Sequence, residues 1–418
     1  MTPFGYTILG FGAGGTADVV NFLKSQETAF GDGGAVAHVN IAFDDNNAGV
    51  FVVAYCDTGG GSGGTITAAV GTVADDGSVT FGSAVHAYSG GDLVHQRCRL
   101  DFDKSTSGKF VINYNLTERH GGGIPNFICG IISGTGGSAT ITFGSAAAMP
   151  YGPAHPSSVW HATQGDLAVT ADGTYMYYAG YDQGSSNQGR SSRWDIASGT
   201  GTTIDNITQL GQHDVNGRGH VIERALDDTD SALLMYTENG ANLIVRRLTS
   251  GSLGTRTEVT SNGDSEWDAD LSCNPNSTGK FVVHYSDQAN SNYGTVRVGV
   301  LSGDAISYGT ALVVHSQASD YQRCNFDHGT ETDQVVLLWV DQSSGENHPY
   351  GMVCTVNADN TITAGDLIDI GTDGVNDDLG LSQHSIDCDP NTPGSFVYGY
   401  NDNDNSNIGY VNVGSLPV

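Results

Sequence analysis

Positive charge is what this chain has least of. In 418 residues, 16 Lys and Arg stand against 46 Asp and Glu, a formal net charge of −30. Such a surface repels polyanions, so nucleic acid and anionic membrane are excluded as default partners. The acids are scattered through turn-like stretches and not massed in a tail, as solvated loops are. Long apolar runs are missing too: no stretch holds 18 uninterrupted apolar residues, and no membrane-spanning helix is expected. The opening MTPFGYTILGFGAGG lacks a basic region ahead of a long apolar run and does not read as a secretory signal. The expected setting is the cytosol, or a route out of the cell such as a virus particle. Cysteine is sparse, seven residues without CxxC spacing, which argues against a disulfide framework or a zinc site. Cys98, Cys273, Cys324 and Cys388 fall in strand-like segments and are expected to be small buried hydrophobes.

Glycine, in contrast, is abundant at 59 residues, and 38% of the chain is hydrophobic. That is apolar enough for a core yet dense in turns. The length could hold two or three ordinary domains, but closed all-β folds often exceed that size as one unit. Residues 268–314 show the organising unit most cleanly, as DADLSCNPNSTG, KFVVHYSDQANSNYG, TVRVGVLSGD and AISYGTALVV. Each piece alternates apolar and polar residues and closes on Gly, Asn, Asp or Ser, the signature of short strands joined by tight turns. Four such strands make one up-and-down antiparallel sheet. It cannot bury both faces alone and needs neighbours.

An apolar strand ending in an aromatic residue recurs at Gly49–Asp57, Gly108–Tyr114, Gly173–Asp182, Ala232–Glu238, Gly279–Asp287, Val335–Asp341 and Gly394–Asp402. Its landmarks Tyr55, Tyr114, Tyr181, Tyr236, Tyr285, Trp339 and Tyr400 lie 49 to 67 residues apart, with the variation in loops. The strand ahead of each landmark aligns on Asp44, Asp103, Asn274, Asp327 and Asp389. One, three and five residues before these anchors the positions are mostly apolar, as in Phe43, Ile41 and Val39 or Phe102, Leu100 and Cys98. Two, four and six residues before them they are mostly polar, as in Asp101, Arg99 and Arg97 or Ser272, Asp270 and Asp268. One face is therefore expected dry and the other polar. The third and fourth copies fit this register less well.

A third strand follows each landmark, such as Thr65–Val73, Asn126–Ile132 or Gly351–Val356, and then a fourth, such as Ser78–Val85, Thr140–Ala147, Ala305–Val314 or Thr361–Ile370. The seventh copy stops after Gly409–Leu416 without a fourth strand. Asp18–Leu23 looks like the missing piece, and sharing one sheet between the termini would remove an exposed edge. The expected fold is all-β, a β-propeller of seven four-stranded blades, closed by an N-terminal strand completing the last blade. Six or eight blades are the counting alternatives; a β-sandwich array or several small β domains is the architectural one. Residues 1–35 form an N-terminal segment carrying the closing strand, and 36–418 form the propeller.

Gly10–Gly15 fits GxGxxG, but hairpins follow it where a dinucleotide-binding βαβ unit would need a second parallel strand, so it reads as linker glycine. The loop Asp402–Gly409 (DNDNSNIG) alternates oxygen ligands as calcium loops do, without the Glu that closes a twelve-residue frame. Asp287–Gly294 and Asp182–Gly189 are related loops with fewer acids, read as turns that use Asn and Gly in left-handed positions. Arg97, Arg99 and Arg323 stand out in a chain so poor in cations. They are expected to face acids such as Asp101, Asp268, Asp270 and Asp387 from other copies, or else an anionic ligand in a central channel. His38, His95, His161 and His384 occur one per copy and make no metal spacing. There is no HExxH, no GxSxG and no S-x-D-x-G-x-T-W box, so no catalytic, metal or cofactor-binding residue is assigned and no cofactor is expected.

Gly279–Val314, GKFVVHYSDQANSNYGTVRVGVLSGDAISYGTALVV, resembles the degenerate repeats of propeller proteins encoded by marine tailed bacteriophages, which follow GKxVVxYxD…SNYGTxxVGxxSGxxIxFGTxxVF. The same wording shows in FVVAYCDTG…GTITAAVGTV…VTFGSAV, in GKFVINY…FICGIISG…TITFGSAA and in GSFVYGYND…NIGYVNVG. The likeness covers most of residues 36–416 and is weakest across 155–262. It implies a phage virion structural protein: a tail, fibre or capsid-surface component located on the particle. Residues 1–35 would then be a virion-attachment segment contacting other virion proteins. The disc would face outward to a host-surface glycan or protein, as a symmetric multimer, with no membrane insertion and no enzymatic activity. The alternative is a propeller-type carbohydrate-active enzyme, a glycan depolymerase on the virion, marked by carboxylates about 5–10 Å apart in one cleft.

Overall fold

A computed structural model describes residues 21–22, 28–30, 35–57, 64–90, 93–117, 123–149, 165–182, 188–215, 218–238, 242–261, 263–329, 333–343, 348–370, 385–402 and 408–416. Among these the regular structure is β-strand with two short 3-10 turns and no α-helix. The strands pair antiparallel into six hydrogen-bonded sheets, one of four strands, four of five and one of nine. The nine-stranded sheet is two up-and-down runs joined through Leu312–Phe326, a strand that changes partner along its length. Its first half pairs with Tyr293–Ser302 and its second half with Gln334–Asp341.

Seven strands open the successive runs: Val36–Phe43, Leu93–Phe102, Asp166–Val169, Arg218–Arg224, Gly263–Cys273, the second half of Leu312–Phe326, and Ser385–Cys388. Each packs against the next, and Ser385–Cys388 packs back against Val36–Phe43. Side chains on the polar face of these inner strands tie most of them to the successor's backbone. Asn40 Oδ1 accepts the Leu100 amide at 2.8 Å, and Asp101 Oδ2 the Val169 amide at 2.7 Å. Asp166 Oδ2 takes the Ile222 amide at 3.1 Å, Asp270 Oδ2 the Cys324 amide at 3.0 Å, and Asn325 Oδ1 the Cys388 amide at 3.1 Å. Alternation thus gives one face of the strand to the apolar core and the other to these inter-sheet bonds.

The anchor turns add a second ring of links. Asp44 Oδ2 accepts the Gly108 amide at 2.8 Å, Asp327 Oδ1 the Gly394 amide at 2.8 Å, and Asp389 Oδ2 the Gly49 amide at 2.7 Å. Those three glycines have φ between 70 and 80°, a left-handed backbone that favours glycine. In the fourth run Ala225 takes the anchor position, since its amide bonds to the Ser231 carbonyl as that of Asp44 bonds to Val50.

Second strands form the driest layer: Phe51, Val52, Val53 and Ala54 are fully buried, as are Phe281, Val282 and Val283. Four runs repeat one cross-strand pair, Phe51 opposite Gly71, Phe110 opposite Gly130, Phe281 opposite Gly299 and Phe396 opposite Gly414. The ring lies over the glycine, so it packs flat where a side chain would otherwise stand.

At the N-terminus, Asn21–Phe22 pairs with Gly414 and Ser415, and Thr28–Phe30 pairs with Gly409 to Val411. The proposed closing strand thus lies on the last sheet; Asp18–Val20 and Leu23 are outside the described residues. Two register expectations need correction. Alternation breaks six residues before the anchor, where ladders shift and His38 and Tyr321 take φ of 53 and 56°. These are β-bulges, which re-aim the strand at its start. Second, most fourth strands come as two short pieces, such as Val79–Phe81 and Val85–Tyr88 on the same partner. All seven cysteines are buried free thiols, and burial pushes Cys56 up to about 12.

Candidate functional site

The inner strands of all seven runs line one polar cavity of about 160 Å³. Their period-2 geometry stacks its lining in tiers. Four residues before the anchors come Asn40, Arg99, Asp166, Val221, Asp270, Arg323 and Ser385; two before come Ala42, Asp101, Glu223, Ser272, Asn325 and Asp387. Just past the anchors, Asp45, Lys104, Leu226, Pro275, His328 and Pro390 form the rim.

Arg224 departs from this order. It stands where the other strands carry Phe43, Phe102, Val169, Cys273, Phe326 and Cys388, and its guanidinium lies in the cavity. Nη2 is 3.5 Å from Asp101 and Nη1 is 3.9 Å from Asp45. Lys104 Nζ is 2.9 Å from Asp45, and Arg99 Nε is 3.8 Å from Asp166. Arg323 donates to the Gln322 carbonyl at 2.7 Å and faces Asp270.

Burial raises the carboxyls of Asp101, Asp166 and Asp270, and the strongest opposing charge is Arg224, Arg99 and Arg323 respectively. Asp387 has no such partner. Burial pushes it up to about 7, against the amides of Phe43 and Cys388 that hold its oxygens. Glu223 is raised well above the usual carboxylate range by burial and then by the neighbouring charge of Asp101, with Arg224 opposing. Alone among these acids, Glu223 accepts no hydrogen bond from the next strand. His328 is lowered to about 4 by burial, so it is neutral at pH 7.

The expected pairing of arginines with acids from other runs is what Arg99, facing Asp166, and Arg323, facing Asp270, show. Asp101 and Asp387 join them in the cavity. The side chains of Arg97, Asp268, His95, His161 and His384 lie outside the described residues, as do Gly10–Gly15 and residues 403–407 of the proposed calcium loop. His38 sits in the first strand's bulge. Asp287–Gly294 is a turn, with Asp287 capping Ala289 and Ser291 and Asn292 in left-handed backbone. Among the described residues no group of three or more His, Cys, Asp or Glu could hold a metal.

Sequence reading missed Glu223 and Arg224 because the fourth copy lacks the acidic anchor. Aligning it on Ala225 would have exposed a charged residue at a position that is apolar in every other run.

No protein-family model and no curated protein sequence matches this chain. Among solved structures it is similar to the NanB sialidase from Streptococcus pneumoniae, with TM-score 0.50 and 10% identity over 93% of this chain and 70% of that one. It is also similar to Trypanosoma rangeli sialidase, with TM-score 0.45 and 10% identity over 83% of this chain. The chain spans 58% of that protein's length. At such identity the likeness bears on the fold: the architecture is an all-β propeller of the kind sialidases use. The expectation that the chain is no enzyme does not stand, because its fold is one that the NanB sialidase shares.

Proposed function

We propose that this chain is a glycan-active enzyme of glycosidase type, built on a closed seven-bladed propeller whose axial cavity takes one sugar residue. The seven inner strands that pack in sequence and return to the first support that count, as does the N-terminal pairing with Ile408–Ser415. The observation that carries the activity is the division among the axial acids. Asp45, Asp101, Asp166 and Asp270 each face a cation, which leaves Glu223 and Asp387 in no ion pair, with their proton affinities raised by burial.

Pairs of carboxyls pushed to different affinities supply the acid and the base of glycoside hydrolysis. Glu223, kept protonated, gives its proton to the departing glycosidic oxygen. Asp387, poised near neutrality and fixed by two amides, takes a proton from the attacking water. The resemblance of its repeats to those of phage-virion propellers would put it on a virus particle, with residues 1–35 as the attachment segment. There the enzyme would meet host-surface polysaccharide.

The test is reducing-end release from bacterial surface polysaccharides and fluorogenic glycosides. Release by the wild type, falling about 10²–10⁴-fold in Glu223→Gln, is the expected result. Unchanged release in that variant would remove Glu223 from the chemistry.

A further inference from the structure

We propose that the axial cavity selects an uncharged sugar and turns away carboxylated ones, an inference that rests on the glycan-active reading above. Among the described residues six carboxylates and four cations line the cavity, so acids are in excess. Each cation already faces a carboxylate: Arg99 faces Asp166, Lys104 faces Asp45, and Arg224 lies between Asp45 and Asp101. Arg323 faces Asp270. A carboxylate ligand would find no unclaimed cation to receive it. It would also have to approach Glu223 and Asp387, the two acids in surplus.

A hydroxyl group fits better, and Arg224 shows where. Its side chain is only 8% exposed, yet Nε and Nη1 make no hydrogen bond. Nη2 reaches Asp101 at 3.5 Å, while Nη1 stands 3.9 Å from Asp45, too far for a hydrogen bond. A group that accepts from the guanidinium and donates to the facing carboxylate would complete both sides at once. A sugar hydroxyl does this; a carboxylate only accepts. The cavity, at about 160 Å³, is smaller than the roughly 300–1,000 Å³ of typical small-molecule sites, which suits a single ring.

The experiment is saturation-transfer NMR on the full chain with methyl glycosides of neutral hexoses and N-acetylhexosamines, beside N-acetylneuraminic acid and glucuronic acid, at low salt. At least one neutral glycoside should bind and the two acids should not. Arg224→Gln should weaken the neutral ligand about tenfold or more, the loss of a charged hydrogen-bond donor. Asp101→Asn, which frees Arg224, should admit a carboxylated sugar. Binding of either acid to the wild type as tightly as the best neutral glycoside would overturn the selectivity and leave the glycan reading standing. If no sugar of either class binds and no polysaccharide is cleaved, the glycan reading falls and this inference falls with it.

Discussion

The Asp387 carboxylate accepts the Phe43 amide at 2.7 Å, a bond between residues 344 positions apart that joins the last inner strand to the first. Ser385 Oγ repeats the join at the Ile41 amide, 3.1 Å away. The Asn391 amide group adds a third, to the Asp44 carbonyl at 3.0 Å. Chain ends that are remote in sequence are thus held by bonds of the same kind that link sequential runs.

The N-terminal strand should therefore contribute directly to stability. Phe30 is buried, with its ring 5.1 Å from that of Tyr55 and 5.9 Å from that of Phe81. Phe30→Ala should lower the unfolding free energy by about 3 kcal/mol, read from urea denaturation. An unchanged midpoint would mean the strand does not dock on Ile408–Ser415 in solution.

Much of this architecture was legible in the sequence because a strand's period is local. The Phe281 and Gly299 pair sits inside one copy, and the landmark aromatics mark each second strand. The pairing of the N-terminal strand with the last sheet was legible only indirectly, through a last copy that ran short. The cavity was not legible at all. Its residues come a few per run, roughly fifty to seventy positions apart, and only the packing of the inner strands brings Glu223 near Asp387. Ala225, in place of an acidic anchor, hid the register that would have flagged Arg224.

Lys109 should be intolerant of losing its partner. Its Nζ lies 3.1 Å from Asp103 Oδ2, and both side chains are shut off from water. Removing one charge strands the other, at about 3–5 kcal/mol. Asp103→Ala and Lys109→Met should each destabilise by that order, and the double variant should cost less than the two single changes combined. Strict additivity in a denaturation double-mutant cycle would show that the pair is not coupled.

Gly299→Ala tests the ring-over-glycine pair. A Cβ there would stand 2.1 Å from Phe281 Cζ, so the ring must move within a packed layer. Overpacking of this kind costs about 1–3 kcal/mol, and Phe281→Leu in the same chain should recover part of it. A neutral Gly299→Ala in thermal melts would show that the layer has slack.

Asp387 gives the fold a pH signature whose sign can be worked out. Its carboxyl rises from 3.8 to about 7 on folding, so between those values the native state holds a proton that the unfolded chain has released. Stability from this group is therefore full below pH 4 and declines as pH rises toward 7. Glu223, also raised, acts in the same direction. Asp172 and Asp341 are lowered and act oppositely, but their effect is complete above about pH 4 and leaves the neutral range untouched. His213, His284 and His328 are lowered by burial and add stability as pH rises toward 6.5, so the Asp387 contribution is read as a difference. Between pH 5 and pH 7 the wild type should lose melting temperature relative to Asp387→Asn, which keeps the side chain's shape but cannot ionise. Parallel wild-type and Asp387→Asn curves over this range would mean that Asp387 does not titrate there, and the base assigned to hydrolysis would have to be sought elsewhere in the cavity.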